Sequence, residues 1–305
     1  MKTKIILLVI LANALMTYGQ KKVESLPAFN DTVSFIVVKF KEGSKYYGKL
    51  KENRNDTLTL ITEDLGPVRI PYSKISTVQT LEYMMMKKGK FWFPTPLPGR
   101  YFFAPSAFTL NPGEGYYQNT LITLNSFNVG VTKWFSIGGG IEFFTTIITL
   151  TAGDFRPIFY LTPKIGFKVS ENVRVGGGFI YAHIMNEAQL GTFYGVFTFG
   201  NPDYNFTAGL GWGYSKTKNT LARFQSNPMI TLCGTARISR KVAFVTENWF
   251  IPFSNSSEFS YSPLFSYGLR FFGESLSFDL AFINNKDIVK ALFIGIPFVA
   301  FTVKF

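Results

Sequence analysis

Cysteine and histidine are nearly absent from this chain of 305 residues, which contains one of each, Cys233 and His183. A single cysteine excludes an intramolecular disulfide framework and any metal cluster held by several cysteines. We therefore expect neither a metal site nor a bound cofactor.

Long hydrophobic runs are also missing once the first residues are passed. After Met16, the longest apolar segment is ALFIGIPFVAFTV at residues 291–303, which is short and interrupted by Pro297. A transmembrane helix needs about 20 consecutive apolar residues. The chain beyond Met16 is therefore either soluble or crosses a membrane as β-strands.

The first residues have the layout of a secretory signal peptide. Lys2 and Lys4 precede an apolar run from residue 5 to residue 16, and the short residues Thr17 and Gly19 follow. This pattern predicts a signal peptide over residues 1–19 and hence an exported protein.

Charged residues are scarce, at 16% of the chain against about a quarter in a typical soluble domain. The 31 lysines and arginines outnumber the 19 acidic residues, which gives a formal charge of +12, but they are spread thinly. In an exported protein this distribution indicates contact with anionic lipid or small anionic solutes and argues against a nucleic-acid partner.

Aromatic residues are abundant, with 34 phenylalanines and 15 tyrosines. From residue 101 they stand in segments that alternate with period two, separated in turn by short turns and longer polar loops, which is typical of membrane β-barrels. We predict about twelve strands, the first over residues 101–110. The predicted short turns lie around residues 133–134, 170–172, 200–203, 240–241 and 273–275, and the predicted loops are 111–118, 151–157, 185–192, 215–227, 253–262 and 284–293.

The hairpin SPLFSYGLRFFGESLSFDLAFIN tests whether both faces of a strand pair agree. A tight turn at residues 274–275 sets Phe271 opposite Phe278 on one face and Arg270 opposite Asp279 on the other. Opposite charges across a strand pair stabilise a sheet, and a membrane barrel has room for them only on its lumen side. The same alternation predicts these lumen-facing charges: Glu142, Lys164, Lys168, Arg174, Arg237, Arg270, Asp279 and Lys304. It also places Cys233 on the inward face of its strand. In NTLITLNSFNVGV and in VAFVTENWFIPF the apolar face switches along the segment, which we attribute to a bulge.

The last residues, FVAFTVKF, form an alternating strand. Its apolar face consists of Val299, Phe301, Val303 and Phe305. A terminal aromatic on such a strand resembles the assembly signal of outer-membrane β-barrel proteins, and residues 100–305 resemble the porin-like barrels of that group. The resemblance implies a place in the outer membrane of a Gram-negative cell, with membrane lipid and the barrel-assembly machinery as partners.

Residues 31–83 differ from the rest in their charge and in their short strands. The runs SFIVVKF, YYGKL, DTLTLIT, PVRIPY and ISTVQ are separated by the turn-forming EGSK, KENRN, EDLG and SK. This order resembles a five-stranded SH3-like or Sm-like barrel. The RNA-binding role of that family does not carry over, because we expect this domain in the periplasm. Pro94, Pro96 and Pro98 predict a linker over residues 84–99.

The predicted fold is thus all-β: a transmembrane antiparallel up-and-down β-barrel of about 12 strands, preceded by a small SH3/Sm-like β-barrel domain. Its expected role is a narrow anion-favouring pore or a membrane anchor for the periplasmic domain. Six of the eight predicted lumen charges are positive, which would favour anions, but the same groups would close a narrow lumen if they paired with one another.

His183 raises an alternative, an outer-membrane lipid-acting hydrolase. Its possible partners by side-chain type are Ser126, Ser215, Asn186 and Glu187, although the chain has no GxSxG motif. His183 also shares a face with the predicted lipid-facing aromatics of its strand, which suits a residue at the membrane interface. A third possibility is a protein that binds partners through its external loops.

Overall fold

The computed structural model describes residues 35–54, 56–80, 85–87, 90–93, 95–255 and 258–305. The predicted signal peptide, residues 1–19, therefore lies outside the described residues. The chain divides into two compact units, Met1–Pro94 and Thr95–Phe305.

The first unit contains a five-stranded antiparallel sheet in the order β4-β3-β2-β1-β5. A 3-10 helix, Tyr72–Lys74, joins β4 to β5. Two further short strands, β6 and β7, pair with each other. The strands of this unit are β1 Phe35–Phe40, β2 Lys45–Arg54, β3 Thr57–Thr62, β4 Gly66–Pro71, β5 Ile75–Thr80, β6 Met85–Lys87 and β7 Lys90–Trp92.

One face of this sheet forms its core. Ile36 and Val38 of β1 pack with Leu58 and Leu60 of β3 and with Ile70 of β4, and all five side chains are buried. These residues alternate along their strands, as period-two burial requires. The five predicted strands are present in the predicted order.

The second unit is built from strands β8 to β21 and two loop helices. The strands are β8 Gly115–Thr120, β9 Leu124–Gly130, β10 Phe135–Glu142, β11 Ile158–Leu161, β12 Lys164–Lys168, β13 Val173–Ile184, β14 Ala188–Gly200, β15 Tyr204–Thr217, β16 Arg223–Phe224, β17 Met229–Ser239, β18 Val242–Asn255, β19 Glu258–Phe272, β20 Leu276–Asn284 and β21 Ile296–Lys304. The helices are α1 Phe143–Thr151 and α2 Ile288–Ala291.

The strands of this unit close into an antiparallel barrel. Neighbouring strands of the wall are antiparallel, and β21 pairs with β8 to complete the circle, while the short β16 pairs with β15 outside this order. β11 and β12 occupy one position in the wall, because both pair with β10 on one side and with β13 on the other. The wall therefore has twelve strand positions, which confirms the predicted all-β fold with a closed antiparallel barrel of about 12 strands preceded by a separate five-stranded sheet.

The outside of the barrel is apolar, while its inside is filled. Along β14, Phe193, Phe197 and Phe199 are exposed, whereas Val196 and Thr198 between them are buried. The outward apolar faces predicted for the hairpin of β19 and β20 follow the same rule, with Phe271 paired to Phe278 and Leu269 to Leu280. A closed antiparallel sheet with an apolar outer surface is the architecture of a membrane-spanning β-barrel.

None of the helices in the described residues is long and apolar enough to cross a membrane.

The prediction of a first barrel strand at residues 101–110 is wrong, and the loop predicted at 111–118 is limited to residues 111–114. The first barrel strand is β8, which begins at Gly115. Residues 95–111 lie inside the lumen instead, where Tyr101, Phe102 and Ala107 are buried. We call residues 95–111 the plug.

A second difference restores the number of strands. The segment NTLITLNSFNVGV was read from its sequence as one strand whose faces switch, but it contains the turn between β8 and β9. Leu121 and Ile122 occupy this turn with φ of 51° and 67°, a conformation that non-glycine residues adopt infrequently. The switch of faces that we attributed to a bulge is therefore a chain reversal.

The loops predicted at residues 185–192 and 253–262 are shorter than expected, because the strands continue through them. β14 begins at Ala188. Met185 and Asn186 have φ of 51° and 60°, the positive values that a tight hairpin turn with right-handed twist requires. Long strands therefore extend the wall at this end.

The inner wall needs glycine where the plug approaches it. A Cβ atom on Gly166 would lie 2.4 Å from the carbonyl oxygen of Ala107 in the plug, whereas one on the outward Gly195 would meet only a backbone oxygen at 4.0 Å. We expect Gly166→Ala to lower the free energy of unfolding by about 1–3 kcal/mol because a packed site is overfilled. The matched control Gly195→Ala leaves it within about 1 kcal/mol of the wild-type value.

Urea unfolding followed by tryptophan fluorescence measures both variants. Equal effects of the two substitutions would show that the plug does not rest against this part of the wall.

Candidate functional site

The plug enters and leaves the lumen at the same end of the barrel. The backbone nitrogen and Oγ1 of Thr95 donate to Oδ1 of Asp203 at 3.1 and 2.8 Å, and Asp203 lies in the short turn between β14 and β15. At the other end of the plug, the amide of Gly113 donates to the carbonyl of Gly130, the last residue of β9. We call this the short-turn end and the opposite end the long-loop end.

Glu247 holds the innermost part of the plug. Its Oε2 accepts hydrogen bonds from the consecutive backbone amides of Phe102, Phe103 and Ala104 at 2.8, 2.9 and 2.8 Å. Its Oε1 accepts the indole N–H of Trp249 at 2.7 Å. Glu247 is 1% exposed, so its buried charge depends on these donors for stabilisation.

Arg270, on the neighbouring strand β19, joins the plug to the wall beside Glu247. It contacts Asp279 across the strand pair through Nε at 2.6 Å and Nη2 at 3.0 Å. It also donates to the plug carbonyls of Leu97 at 3.2 Å, Arg100 at 3.3 Å and Tyr101 at 2.7 Å. The pairing expected between Arg270 and Asp279 is thus part of a larger network.

Arg100 is the plug's own contribution to this network. Its Nη1 donates to the carbonyls of Tyr101 at 2.8 Å and Phe102 at 3.1 Å, and its Nη2 reaches Oδ2 of Asp279 at 3.4 Å and Oγ1 of Thr302 at 3.0 Å. Asp279 therefore lies between two arginines, one from the wall and one from the plug. A carboxylate shared in this way balances buried positive charge on both sides.

Lys164, on β12 at the opposite side of the barrel from β19, donates to plug carbonyls. Its Nζ donates to the carbonyls of Gly99 at 2.8 Å and Phe108 at 2.6 Å, and lies 3.4 Å from that of Ser106. Gly99 belongs to the segment of the plug that enters the lumen, and Ser106 and Phe108 belong to the segment that leaves it. One ammonium group therefore holds the two segments together.

Polar wall residues bind the segment of the plug that leaves the lumen. The amide of Ala107 donates to Oγ1 of Thr198 at 2.9 Å, and the amide of Leu110 donates to Oγ of Ser136 at 3.0 Å. The guanidinium of Arg174 lies over the ring of Phe108, 4.2 Å from its centroid, a cation–π geometry.

A small hydrophobic core fills the lumen between these polar contacts. Tyr101, Phe102 and Ala104 of the plug pack with wall residues that include Val245 and Phe298. The ring centroids of Phe102 and Phe298 are 5.3 Å apart. Next to this core lies a cavity of about 40 Å³ whose lining includes Pro105 and Trp249. The cavity has room for only a few water molecules.

The predicted lumen charges divide into two groups. Lys164, Arg174, Arg270 and Asp279 surround the plug, and Arg237 binds Asp203 at 2.9 Å beside Thr95. The remaining three do not contact the plug in the described contacts. Lys304 pairs with Glu114 at 3.3 Å, Lys168 is exposed at the short-turn rim, and Glu142 caps helix α1 by accepting from the amides of residues 144 and 145.

The sequence prediction missed Glu247, Arg100 and Asp203. Glu247 lies opposite Cys233, which had been placed on the inward face of its strand, so the pairing of β17 with β18 was a usable signal. Arg100 gave no such signal, because it lies between the predicted linker, residues 84–99, and the strand predicted at residues 101–110.

The residues predicted as an assembly signal lie on β21 and at its end. Val299, Phe301 and Val303 alternate outward with the buried Ala300 and Thr302, and Phe301 pairs with Phe278. Phe305 and Gly115 exchange backbone hydrogen bonds of 2.8 and 3.0 Å. The last residue therefore contacts the start of the first barrel strand.

His183 lies on the outward face of β13 near the long-loop end. Its Nε2 is 2.9 Å from Oδ1 of Asn186, and its ring stacks on Phe159 at 5.1 Å. Ser126 is buried and faces the lumen, on the opposite side of the barrel wall. The structure therefore brings Asn186 to His183 but does not bring Ser126 to it.

Within the described ranges, no group of three or more histidine, cysteine, aspartate or glutamate side chains is arranged to hold a metal ion.

The chain matches no known protein family. It also has no match among curated proteins.

Similar solved structures are forms of OmpT, an outer membrane protein of Vibrio cholerae. A loop L8 deletion mutant is 10% identical with a TM-score of 0.34, covering 90% of this chain and 96% of that one. The outer-membrane expressed form is 9% identical with a TM-score of 0.30, covering 93% and 98%. The in-vitro folded trimer form is 9% identical with a TM-score of 0.31, covering 89% and 95%. Similarity at this level carries no argument, and the fold assignment rests on the strand pairing.

We expect Glu247→Ala to destabilise the barrel by on the order of 3 kcal/mol or more, because three plug amides and the Trp249 indole lose their acceptor in a buried site. Trp249→Phe removes only the indole donor and serves as the control, with an expected loss of about 1–2 kcal/mol. Urea unfolding of the folded protein in detergent measures both losses. If Glu247→Ala unfolds at the same urea concentration as Trp249→Phe, Glu247 does not hold the plug.

Proposed function

We propose that this protein is an outer-membrane β-barrel whose lumen is closed at rest and whose barrel anchors the N-terminal sheet domain on the periplasmic side. The observation that carries the proposal is the plug. Its backbone groups form hydrogen bonds with the buried charged side chains of Glu247, Arg270 and Lys164 on the inner wall. These side chains face the space that would have to be open in a pore.

The plug contacts favour the closed state strongly. A hydrogen bond to a charged group contributes about 1.5–3 kcal/mol. Loss of the three amide bonds at Glu247 alone would therefore cost at least about 4 kcal/mol, which opposes the conformational entropy that a released plug would regain.

The charges that suggested an anion-favouring pore have another role in this proposal. Arg270 is neutralised by Asp279, and Arg237 by Asp203, while Lys164 binds three plug carbonyls. In the closed lumen these groups already have partners and do not bind a passing anion. Small anionic solutes become partners only when the plug leaves.

We infer that the N-terminal sheet is an SH3/Sm-like module. Support comes from its strand order, with β5 returning beside β1, and from the 3-10 helix Tyr72–Lys74 directly before β5. The proposed periplasmic position is supported by the plug, because short turns face the periplasm in outer-membrane barrels and the chain enters the lumen at the short-turn end.

The lipid-acting hydrolase has less support than the anchor. The hydrogen-bond partner of His183 is Asn186, and a serine nucleophile activated by His183 is not among the contacts of the described residues. Membrane lipid and the barrel-assembly machinery, acting through β21 and Phe305, remain the proposed partners.

Planar-bilayer recording tests the closed lumen. We expect no sustained conductance from the wild-type protein. The double variant Arg100→Ala with Glu247→Ala removes plug contacts with β18, β20 and β21, and it should open in discrete steps that favour anions because Lys164 and Arg174 become accessible. The exposed loop substitution Lys286→Gln is the control. Sustained steps from the wild type would identify a pore, and a folded but silent double variant would mean that the plug is not the barrier.

Cysteine labelling in cells tests the orientation, because the native Cys233 is buried. Ser73→Cys places a thiol on the exposed surface of the sheet domain, and Asn219→Cys places one on the exposed loop after β15. A membrane-impermeant maleimide should label residue 219 on intact cells and residue 73 only after the outer membrane is permeabilised. Labelling of residue 73 on intact cells would contradict a periplasmic domain.

A further inference from the structure

A polar hollow of about 180 Å³ lies at the long-loop end of the barrel. It is formed where the turn between β13 and β14 meets the end of β15. Its lining includes His183, Asn186, Glu187, Gln189, Lys216 and Lys218.

The hollow opens toward the outer face of the barrel. His183 pairs with Gln189, and Gln189 pairs with Lys216, so the three residues form one row across three strands. By strand alternation this row shares its face with the exposed Phe193 and Trp212. The row therefore continues the lipid-facing surface of the wall from its apolar part toward the long-loop end.

A column of aromatic rings descends from the hollow along this face. The ring of Phe159 stacks on His183 at 5.1 Å and lies 6.1 Å from Tyr181. Phe179 follows, 6.4 Å from Tyr181 and stacked on Phe193 at 4.3 Å. Aromatic side chains of this kind mark the boundary between hydrocarbon and headgroups, which places the hollow at headgroup level.

The hollow carries an excess of positive charge. Glu187 lies 4.0 Å from Arg156 and 3.9 Å from Lys218, and Asp154 pairs with Arg156 at 2.5 Å. The two carboxylates are thus shared between two of the cations. Lys216 has no ion pair with any described residue, and its ammonium group remains available to an anion.

The wall below the hollow is notched. Gly177 pairs with Gly195, both on the outward face, and a Cβ on Gly195 would meet nothing nearer than 4.0 Å. Because neither glycine has a side chain, the outer surface is lower here than at the stacked rings of Phe179 and Phe193. A depression in an apolar surface below a cationic hollow fits an amphiphile whose head is anionic and whose tail is a hydrocarbon chain.

We propose that this hollow binds the phosphate group of a membrane lipid, with Lys216 and Lys218 as its cationic ligands and the aromatic column and glycine depression holding an acyl chain. The exposed apolar surface directly below the hollow favours a lipid over free phosphate, because a soluble anion would leave that surface unused. Neither the closed lumen nor the anchor role is needed for this site.

Native mass spectrometry of the full protein in detergent tests the site. Phosphatidylglycerol is compared with diacylglycerol of the same acyl chains, which lacks the phosphate. We expect the apparent Kd for phosphatidylglycerol to rise about tenfold in Lys216→Gln with Lys218→Gln, with weak diacylglycerol binding unchanged. Lys286→Gln, which removes an exposed lysine of another loop at the same end, should bind like the wild type. All positions are exposed, and unchanged heat-modifiable gel migration verifies folding.

Three results would overturn the proposal. The first is equal phosphatidylglycerol binding by the wild type and the double variant, and the second is an equal loss in Lys286→Gln. The third is displacement of phosphatidylglycerol by an equal concentration of inorganic phosphate, which would identify a site for a soluble anion instead of a lipid.

Discussion

The plug depends on one constraint: a chain without regular strand or helix pairing has been placed in a closed lumen, so its backbone amides and carbonyls must find partners there. A buried backbone group without a partner costs free energy comparable to a lost hydrogen bond. The wall supplies these partners with charged side chains, a carboxylate for three consecutive amides at Glu247 and cations for carbonyls at Arg270 and Lys164. Each of these charges in turn has plug backbone groups as its partners in the closed lumen, because the plug excludes the water that would otherwise solvate it.

This mutual requirement explains features of the wall that neither a pore nor a packed sheet alone would need. Inward positions near the plug are small or polar, such as Gly166 beneath Ala107 and Thr198 beside it. The charges are also balanced locally, with Asp279 between Arg100 and Arg270, and Asp203 beside Arg237. A narrow barrel can accommodate such groups only when they neutralise one another at short range.

Much of the wall could be predicted because strand alternation is a local property of the sequence. The phase of β19 and β20 set Arg270 opposite Asp279, and the structure has the same register. The plug could not be predicted in this way, because residues 101–110 are as aromatic as a strand, and their buried position depends on contacts with residues more than a hundred positions away, such as Glu247. Glu247 itself lay in a segment whose phase was misread, although its pairing with Cys233 would have placed it inside.

The closure of the barrel and the binding of the plug in the lumen depend on contacts at the same place, where β8 meets β21. The plug leads directly into β8, and β8 completes the circle by pairing with β21. At this seam Phe305 exchanges backbone hydrogen bonds with Gly115, Lys304 pairs with Glu114, and Arg100 of the plug donates to Thr302. The contacts that close the wall and those that hold the plug therefore share β21. A barrel in which β8 and β21 had not paired would lack the Thr302 partner of Arg100. Removal of the plug would in turn remove one of the polar contacts that hold β21 in place. Closure of the barrel and binding of the plug therefore stabilise each other.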